Sequence, residues 1–295
     1  MSPMPGCCTP DRSGSTAAPT SASGSGAAPP MVNLDGATFL MGSDDARSYP
    51  EDLEGPVRSV DVDAFAIGVT TVTVTQFATF VDATGFVTDA ETFGDSLVFA
   101  GSLPSADRSP EVPVTPWWRV VAGANWRAPA GPQSMLDAVA DLPDHPVTHV
   151  SRRDAAAFCA WSGTALPTEA QWEFAARGGL EQQPFPWGSE PDLSRMNTWR
   201  GEFPGTSTDT VYTCATKSFE PNGYGLHECT GNVWEWTTGV FDASRRDRRA
   251  VIRGGSHLCH DSYCRRYRTS ARSGVSEETS SGHIGFRVCS NPSGH

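Results

Sequence analysis

A chain of 295 residues, 38% of them hydrophobic and 19% charged, has material for one large globular domain or two small ones, which excludes fibrous and wholly disordered structures. Its 34 acidic against 22 basic residues leave a net charge of −12, which would repel a phosphate backbone, so nucleic acid is excluded as a partner. No stretch approaches the roughly 20 apolar residues of a membrane-spanning helix, and the opening residues carry neither the basic leader nor the apolar core of a secretion signal. No membrane partner and a cytoplasmic location are expected.

Residues 1–30 are mostly Ser, Gly, Ala, Pro and Thr, too poor in large apolar side chains to offset the cost of ordering them, and are expected to form a disordered tail. From Met31 the run MVNLDGATFLMGS alternates apolar and polar residues and turns at Gly42, which predicts a strand; residues 60–66 read as its partner. Over 72–84, β-branched residues give way to Phe77, Phe80 and Val81 at helical spacing, and Gly85 ends the helix. A second helix places Ala155, Phe158, Cys159 and Trp161 on one face and stops at Gly163. A third opens on a capping box, Thr168 with Gln171, carries Trp172, Phe174 and Ala175 on its apolar side and ends at Gly178 and Gly179. Beyond Gly179 only brief strand patterns survive among Gly, Pro, Asn and Trp, so buried aromatics must hold this part. No repeat is visible, and one domain over 31–295 is predicted.

Eight unevenly spaced cysteines are too few for a disulfide scaffold and direct attention to individual thiols. The richest segment is RGGSHLCHDSYCRRYR, where Cys259 and Cys264 follow a glycine pair that permits close backbone approach. Two thiolates without a second Cys-x-x-Cys favour Cu(I), His257 and His260 keep zinc open, and a buried or bridged structural pair is the third reading. The flanking Arg253, Arg265, Arg266 and Arg268 would make the thiols reactive. Two further segments gather hard oxygen donors: Asn197, Thr198 and Asp209 around WRGEFPGTSTD, and Glu228, Gly231, Val233 and Glu235 in ECTGNVWEW. Calcium and ordinary loop capping both suit them. The tryptophans of the turn-rich segments, Trp117, Trp118, Trp126, Trp187, Trp199, Trp234 and Trp236, are expected mostly in the core.

The segments RGGSHLCHDSYCRRYR, PNGYGLHECTGNVWEW, LPTEAQWEFAARGG, NTWRGEFP and HIGFRV together resemble the formylglycine-generating enzymes, or sulfatase-modifying factors, of bacterial type, and the resemblance runs from about Met31 to Cys289. It implies an α+β, loop-rich single domain with a C-type-lectin-like core and little regular secondary structure. The implied activity is a copper-dependent oxidoreductase that uses dioxygen to convert the cysteine of a C-x-P-x-R motif in unfolded sulfatases to Cα-formylglycine. A non-catalytic binding domain of the same fold is the alternative. By motif position Cys259 and Cys264 would bind Cu(I), with Ser256 and Trp234 beside the dioxygen pocket. Asp95, Ser96, Trp117, Trp118, Tyr263 and Arg265 would line the substrate groove, with Asp95 taking the substrate arginine. Structural Ca²⁺ would sit at Asn197, Thr198, Asp209 and Val211, and a second ion at Glu228, Gly231, Val233 and Glu235. The chain departs from the family pattern at Thr71 and Glu228, where the family has a glutamate and an asparagine, and at GVSEET over 274–279. Cys159 and Cys289 match approximately a pair bridged in some relatives, without a bridge being expected here.

One motif stands outside the resemblance. Cys8, Thr9, Pro10, Asp11 and Arg12 spell C-x-P-x-R in the chain's own tail, which makes Cys8–Arg12 a cis substrate or tethered competitor; Cys7 and Cys8 together could instead acquire copper.

Overall fold

The alternation that begins at Met31 builds two strands, because Asp35 and Gly36 break it. The computed structural model describes residues 10–12, 26–104, 107–208, 211–242, 244 and 247–290. In it β1 (Met31–Leu34) pairs antiparallel with β4 (Phe65–Gly68), and β2 (Ala37–Met41) with β3 (Arg58–Val62). The partner strand expected over 60–66 is thus the end of β3 and the start of β4. A 3₁₀ turn, Pro50–Asp52, lies between β2 and β3.

Reciprocal bonds between Thr73 and Gln76 open α1 (Val74–Thr84), and Gly85 closes it at φ +66. Thr88 and Glu91 open α2 (Asp89–Phe93) in the same way, and it delivers the chain into β5 (Asp95–Phe99). With β6 (Glu111–Val112) and β7 (Thr115–Ala122) this strand forms a sheet of order β5-β7-β6. After the short α3 (Ala138–Asp141) come α4 (Arg152–Ser162), capped by Ser151 and Asp154, and α5 (Glu169–Arg177), capped by Thr168 and Gln171. A small hairpin joins β8 (Gly201–Glu202) to β9 (Thr206–Ser207).

The last third of the chain holds more order than its sequence suggests. β10 (Trp234–Asp242), β11 (Asp247–Arg253), β12 (Arg272–Val275) and β13 (Ile284–Gly285) form a sheet of order β12-β11-β10-β13, with β13 parallel to β10. β14 (Cys289–Ser290) returns to β4. Inside, Phe77 packs against Phe80, Trp126, Phe158 and Phe286, which welds α1, α4 and the C-terminal segment. Trp118, Trp126, Trp199, Trp234 and Trp236 are buried as expected, while Trp117 and Trp187 are half-buried. Among the described residues no helix is long and apolar enough to cross a membrane.

Contacts reach further into the tail than composition predicts. The Gly26 N–H donates to Trp161 O at 2.9 Å and Val69 N–H to Pro30 O at 3.0 Å, and residues 10–12 lie against the start of β5. Backbone hydrogen bonds, which composition does not report, hold the first of these pieces.

Candidate active site

At the end of β11 the glycine pair turns the chain into the cysteine loop. Gly255 has φ +74, and a Cβ there would stand 2.6 Å from Arg266 O, so the two arms of the loop meet backbone to backbone in a way only glycine permits. Cys259 N–H donates to Ser256 O at 2.9 Å, and Cys264 and Tyr263 N–H both donate to His260 O, at 2.7 and 3.1 Å. These turns aim both sulfurs at one point. Cys259 Sγ and Cys264 Sγ are 3.1 Å apart, beyond the roughly 2.05 Å of a bond between them, and both residues are 0% exposed. Ser256 N–H donates to Cys259 Sγ at 3.4 Å and Arg266 Nη1 to Cys264 Sγ at 3.8 Å. Cys259 is a free thiol whereas Cys264 is disulfide-bonded, so Cys264 can offer a thiolate only once its bond is reduced. Cys159, Cys214, Cys229 and Cys289 are free thiols, so Cys159 and Cys289 are not bridged.

The donor set suits a soft, low-coordinate ion better than zinc. His257 turns its Nδ1 to Asn232 O at 2.9 Å and His260 turns its Nδ1 to Ser262 Oγ at 2.8 Å. Among the described residues no three of His, Cys, Asp and Glu are grouped to hold a metal. Zinc asks for four ligands, whereas two thiolates satisfy Cu(I). Trp234 is fully buried in the same core as both cysteines and seals that side from water.

The arginines are deployed differently from the expectation that all four polarise the thiols. Arg253 is paired with Glu173 and Glu169, and Arg268 with Glu54. Arg265 lies over the Tyr49 ring, 5.4 Å from its centroid. Arg266 reaches the Cys264 sulfur, and Asp52 holds it in a bidentate pair at 2.5 and 2.9 Å. The sequence reading missed Asp52 and Glu54, which anchor the loop from the far end of the chain.

A groove of about 360 Å³ is walled by Asp95 and Leu97 of β5, by Val112, Pro113 and Val120, and by Pro10, Asp11 and Arg12 of the tail. Asp95 Oδ1 accepts from a guanidinium, that of Arg12, at 2.7 Å. Near the other end of β7, the Trp117 ring stands edge-on to Tyr263 with centroids 5.1 Å apart, and Tyr263 stacks on Phe203 at 4.8 Å. Because neighbouring strand residues face opposite ways, Trp118 instead points into the core, against Phe99 and His283.

Ser96, expected at the groove, is likewise turned inward by the pleat: it is 0% exposed and bonds His149 Nδ1 at 2.8 Å and Ser280 Oγ at 3.0 Å. Burial drives His149 down to about 3 from its ordinary 6.5. An unfolded chain therefore takes this proton first, so the stabilisation is fully present above pH ~6.5 and is lost as pH falls from there. His149→Asn, tolerated at the local φ of +58, should flatten the acid side of the stability curve by up to one proton, about 1.4 kcal/mol per pH unit. Urea unfolding across this pH window reads the slope directly.

The two calcium sets fare unequally. Of the first, Asn197 donates its amide to Tyr212 O, Val211 O accepts from Ser102, Thr198 Oγ1 is buried with no partner among the described residues, and Asp209 lies outside them. In the second, Glu228 accepts from the Lys217 and Phe219 amides, and Glu235 is taken by Arg287, twice at 2.9 Å, and by Trp172 Nε1 at 2.7 Å. An ion there would have to displace Arg287, so these residues do not fit a calcium site built on the Glu235 carboxylate.

The architecture, mixed α+β with short elements and long loops around a buried thiol pair, is that of the formylglycine-generating fold. PvdO from Pseudomonas aeruginosa shares the fold at a TM-score of 0.63 and 24% identity, over 88% of this chain and 94% of its own. Residues 16–292 match the family described as sulfatase-modifying factor enzyme 1-like domain, and the chain belongs to that family, the formylglycine-generating enzymes. It is 46% identical to the formylglycine-generating enzyme of Thermomonospora curvata, over 89% of this chain and 93% of that one. It is also 42% identical to an inactive Cα-formylglycine-generating enzyme 2 of Mus musculus, over 89% and 86%. Overall identity alone does not separate the catalytic from the non-catalytic members.

Proposed function

We propose that the chain converts the cysteine of C-x-P-x-R segments in unfolded sulfatases to Cα-formylglycine, with Cu(I) held by Cys259 and Cys264 and dioxygen as oxidant. The observation that carries this reading is the pair of fully buried cysteine sulfurs 3.1 Å apart; Asp95, already bonded to a guanidinium, supports it. Spacing supports it. From Cys to Arg the motif advances four residues, about 13 Å when extended, and β5 advances four residues from Asp95 to Phe99. Strand β5 therefore spans the stretch between arginine anchor and aromatic end that a bound segment must cover.

Copper(I), when bound, supplies the electron-rich centre that dioxygen needs. The chain's own residues do the rest. Asp95 fixes the substrate arginine by a charge-assisted bond, which sets the register of the peptide. Trp117 and Tyr263 form the aromatic wall beside Cys264. Trp234 and the closed loop exclude water from the sulfurs. Ser256 steadies Cys259 through its amide, and its hydroxyl accepts from Leu258 N–H at 3.3 Å. Structural calcium is proposed for the first oxygen set alone, Asn197, Asp209 and the carbonyls of Thr198 and Val211; the buried Thr198 hydroxyl beside them has no partner among the described residues.

The test is to incubate reduced, copper-loaded protein with a C-T-P-S-R peptide in air and to detect aldehyde by hydrazide capture and mass. Product is expected. Asp95→Asn should raise KM about 10- to 100-fold with little change in kcat, the equivalent of a lost charged hydrogen bond of about 1.5–3 kcal/mol. An unchanged KM would remove Asp95 from recognition, and no aldehyde under any loading would favour the non-catalytic binding domain.

A further inference from the structure

The groove is not left to visitors. We propose that the chain's own segment ending at Arg12 docks in it as an intramolecular competitor, so that an incoming peptide must first displace the tail. This inference rests on the groove being the peptide site proposed above.

Six contacts, to Asp95 and Phe93 and to Ser276 and Thr279, carry it. Arg12 Nη2 bonds Asp95 Oδ1 at 2.7 Å and the Asp95 carbonyl at 2.7 Å, and its guanidinium lies 4.2 Å over the Phe93 ring. From the segment after β12, Thr279 Oγ1 accepts the Arg12 N–H at 3.1 Å and Ser276 Oγ–H donates to Arg12 O at 3.2 Å. Asp11 accepts the Ser276 amide at 2.8 Å. Main chain, guanidinium and the preceding acid are thus all engaged, and the Arg12 side chain is only 9% exposed. A surface arginine resting by chance on an acid would make one of these contacts and stay solvated.

Sequence supplies the second half of the argument. Pro10, Asp11 and Arg12 end the C-x-P-x-R pattern, whose Cys8 and Thr9 lie outside the described residues. Ser276 and Thr279, which grip the tail, both lie in the short segment that follows β12. Residues 13–25 tether Arg12 to Gly26, whose amide is bonded to Trp161 O. A tether of this length gives an effective concentration on the order of millimolar. Against a tail affinity of order 0.1 mM, that weakens any competitor about tenfold.

The experiment compares the full chain, Arg12→Ala and a chain starting at Gly26 by titration with a fluorescein-labelled C-T-P-S-R peptide under argon without copper, so that nothing turns over. Both variants should bind about tenfold tighter than the full chain, and adding a synthetic 1–25 peptide in trans should weaken binding to the shortened chain. Equal affinity in all three would overturn the proposal. Hydrogen exchange at the Ser276 amide decides independently of the labelled peptide: protection in the full chain that disappears in Arg12→Ala supports docking, and identical exchange rejects it. If the labelled peptide binds none of the three, the groove's assignment as the peptide site fails, while the Ser276 amide still reports whether the tail is seated.

Discussion

Serine at either Cys259 or Cys264 should reduce aldehyde formation far beyond the roughly 10–100-fold that loss of a supporting partner costs at a metal site. The exchange is nearly isosteric, so it leaves the packing around these fully buried positions almost unchanged. What it removes is softness: a hydroxyl oxygen does not hold Cu(I) as a thiolate does. Compared with reduced wild-type protein, the two variants should therefore keep the unfolding midpoint and fluorescence, lose stoichiometric Cu(I) binding in a competition assay with a colorimetric chelator, and form no product. Full activity in either one would overturn the sulfur-pair mechanism. Because Ser256 N–H and Arg266 donate to different sulfurs, the two losses should also differ in residual copper affinity.

Arg287→Met should be the most destabilising single change outside the site. Arg287 and Glu235 are each 1% exposed or less and exchange two bonds of 2.9 Å, and the same guanidinium ties Gly68 O at 2.8 Å and His227 O at 2.9 Å. One side chain thus couples β4, the turn at residue 227 and β10. Removing it strands a buried carboxylate, a loss of about 3–5 kcal/mol. For a chain of this size that corresponds to a fall of about 10 °C in Tm by calorimetry. Glu235→Gln combined with Arg287→Met should recover much of this, because no uncompensated charge remains. A double variant as unstable as the sum of its parts would show that the lost backbone ties, not the charge, dominate.

The helices were legible because their signals are local. Thr168 with Gln171 and the glycine stops at 85, 163 and 178 each lie within one turn of what they cap, and all appear where expected. The C-terminal sheet was not legible. The first four residues of β10, Trp234 to Thr237, are all buried and so show no alternation, and they include Glu235, which composition rules place on a surface. The cysteine pair and Asp95 were read from motif; the structure sets the two sulfurs 3.1 Å apart and gives Asp95 a guanidinium partner. Ser96 and Trp118 were misplaced because a motif names residues without saying which way a pleat turns them. Asp52 and Glu54 share a spacing of two with Arg266 and Arg268, yet nothing local connects them.

That last link has a biosynthetic consequence. Asp52 and Glu54 meet their arginines across 214 residues of sequence. A growing polypeptide on the ribosome holds both acids long before any arginine exists to receive them, and loop closure over such a span is slow. The cysteine loop therefore gains its acidic anchors only after nearly the whole message has been read.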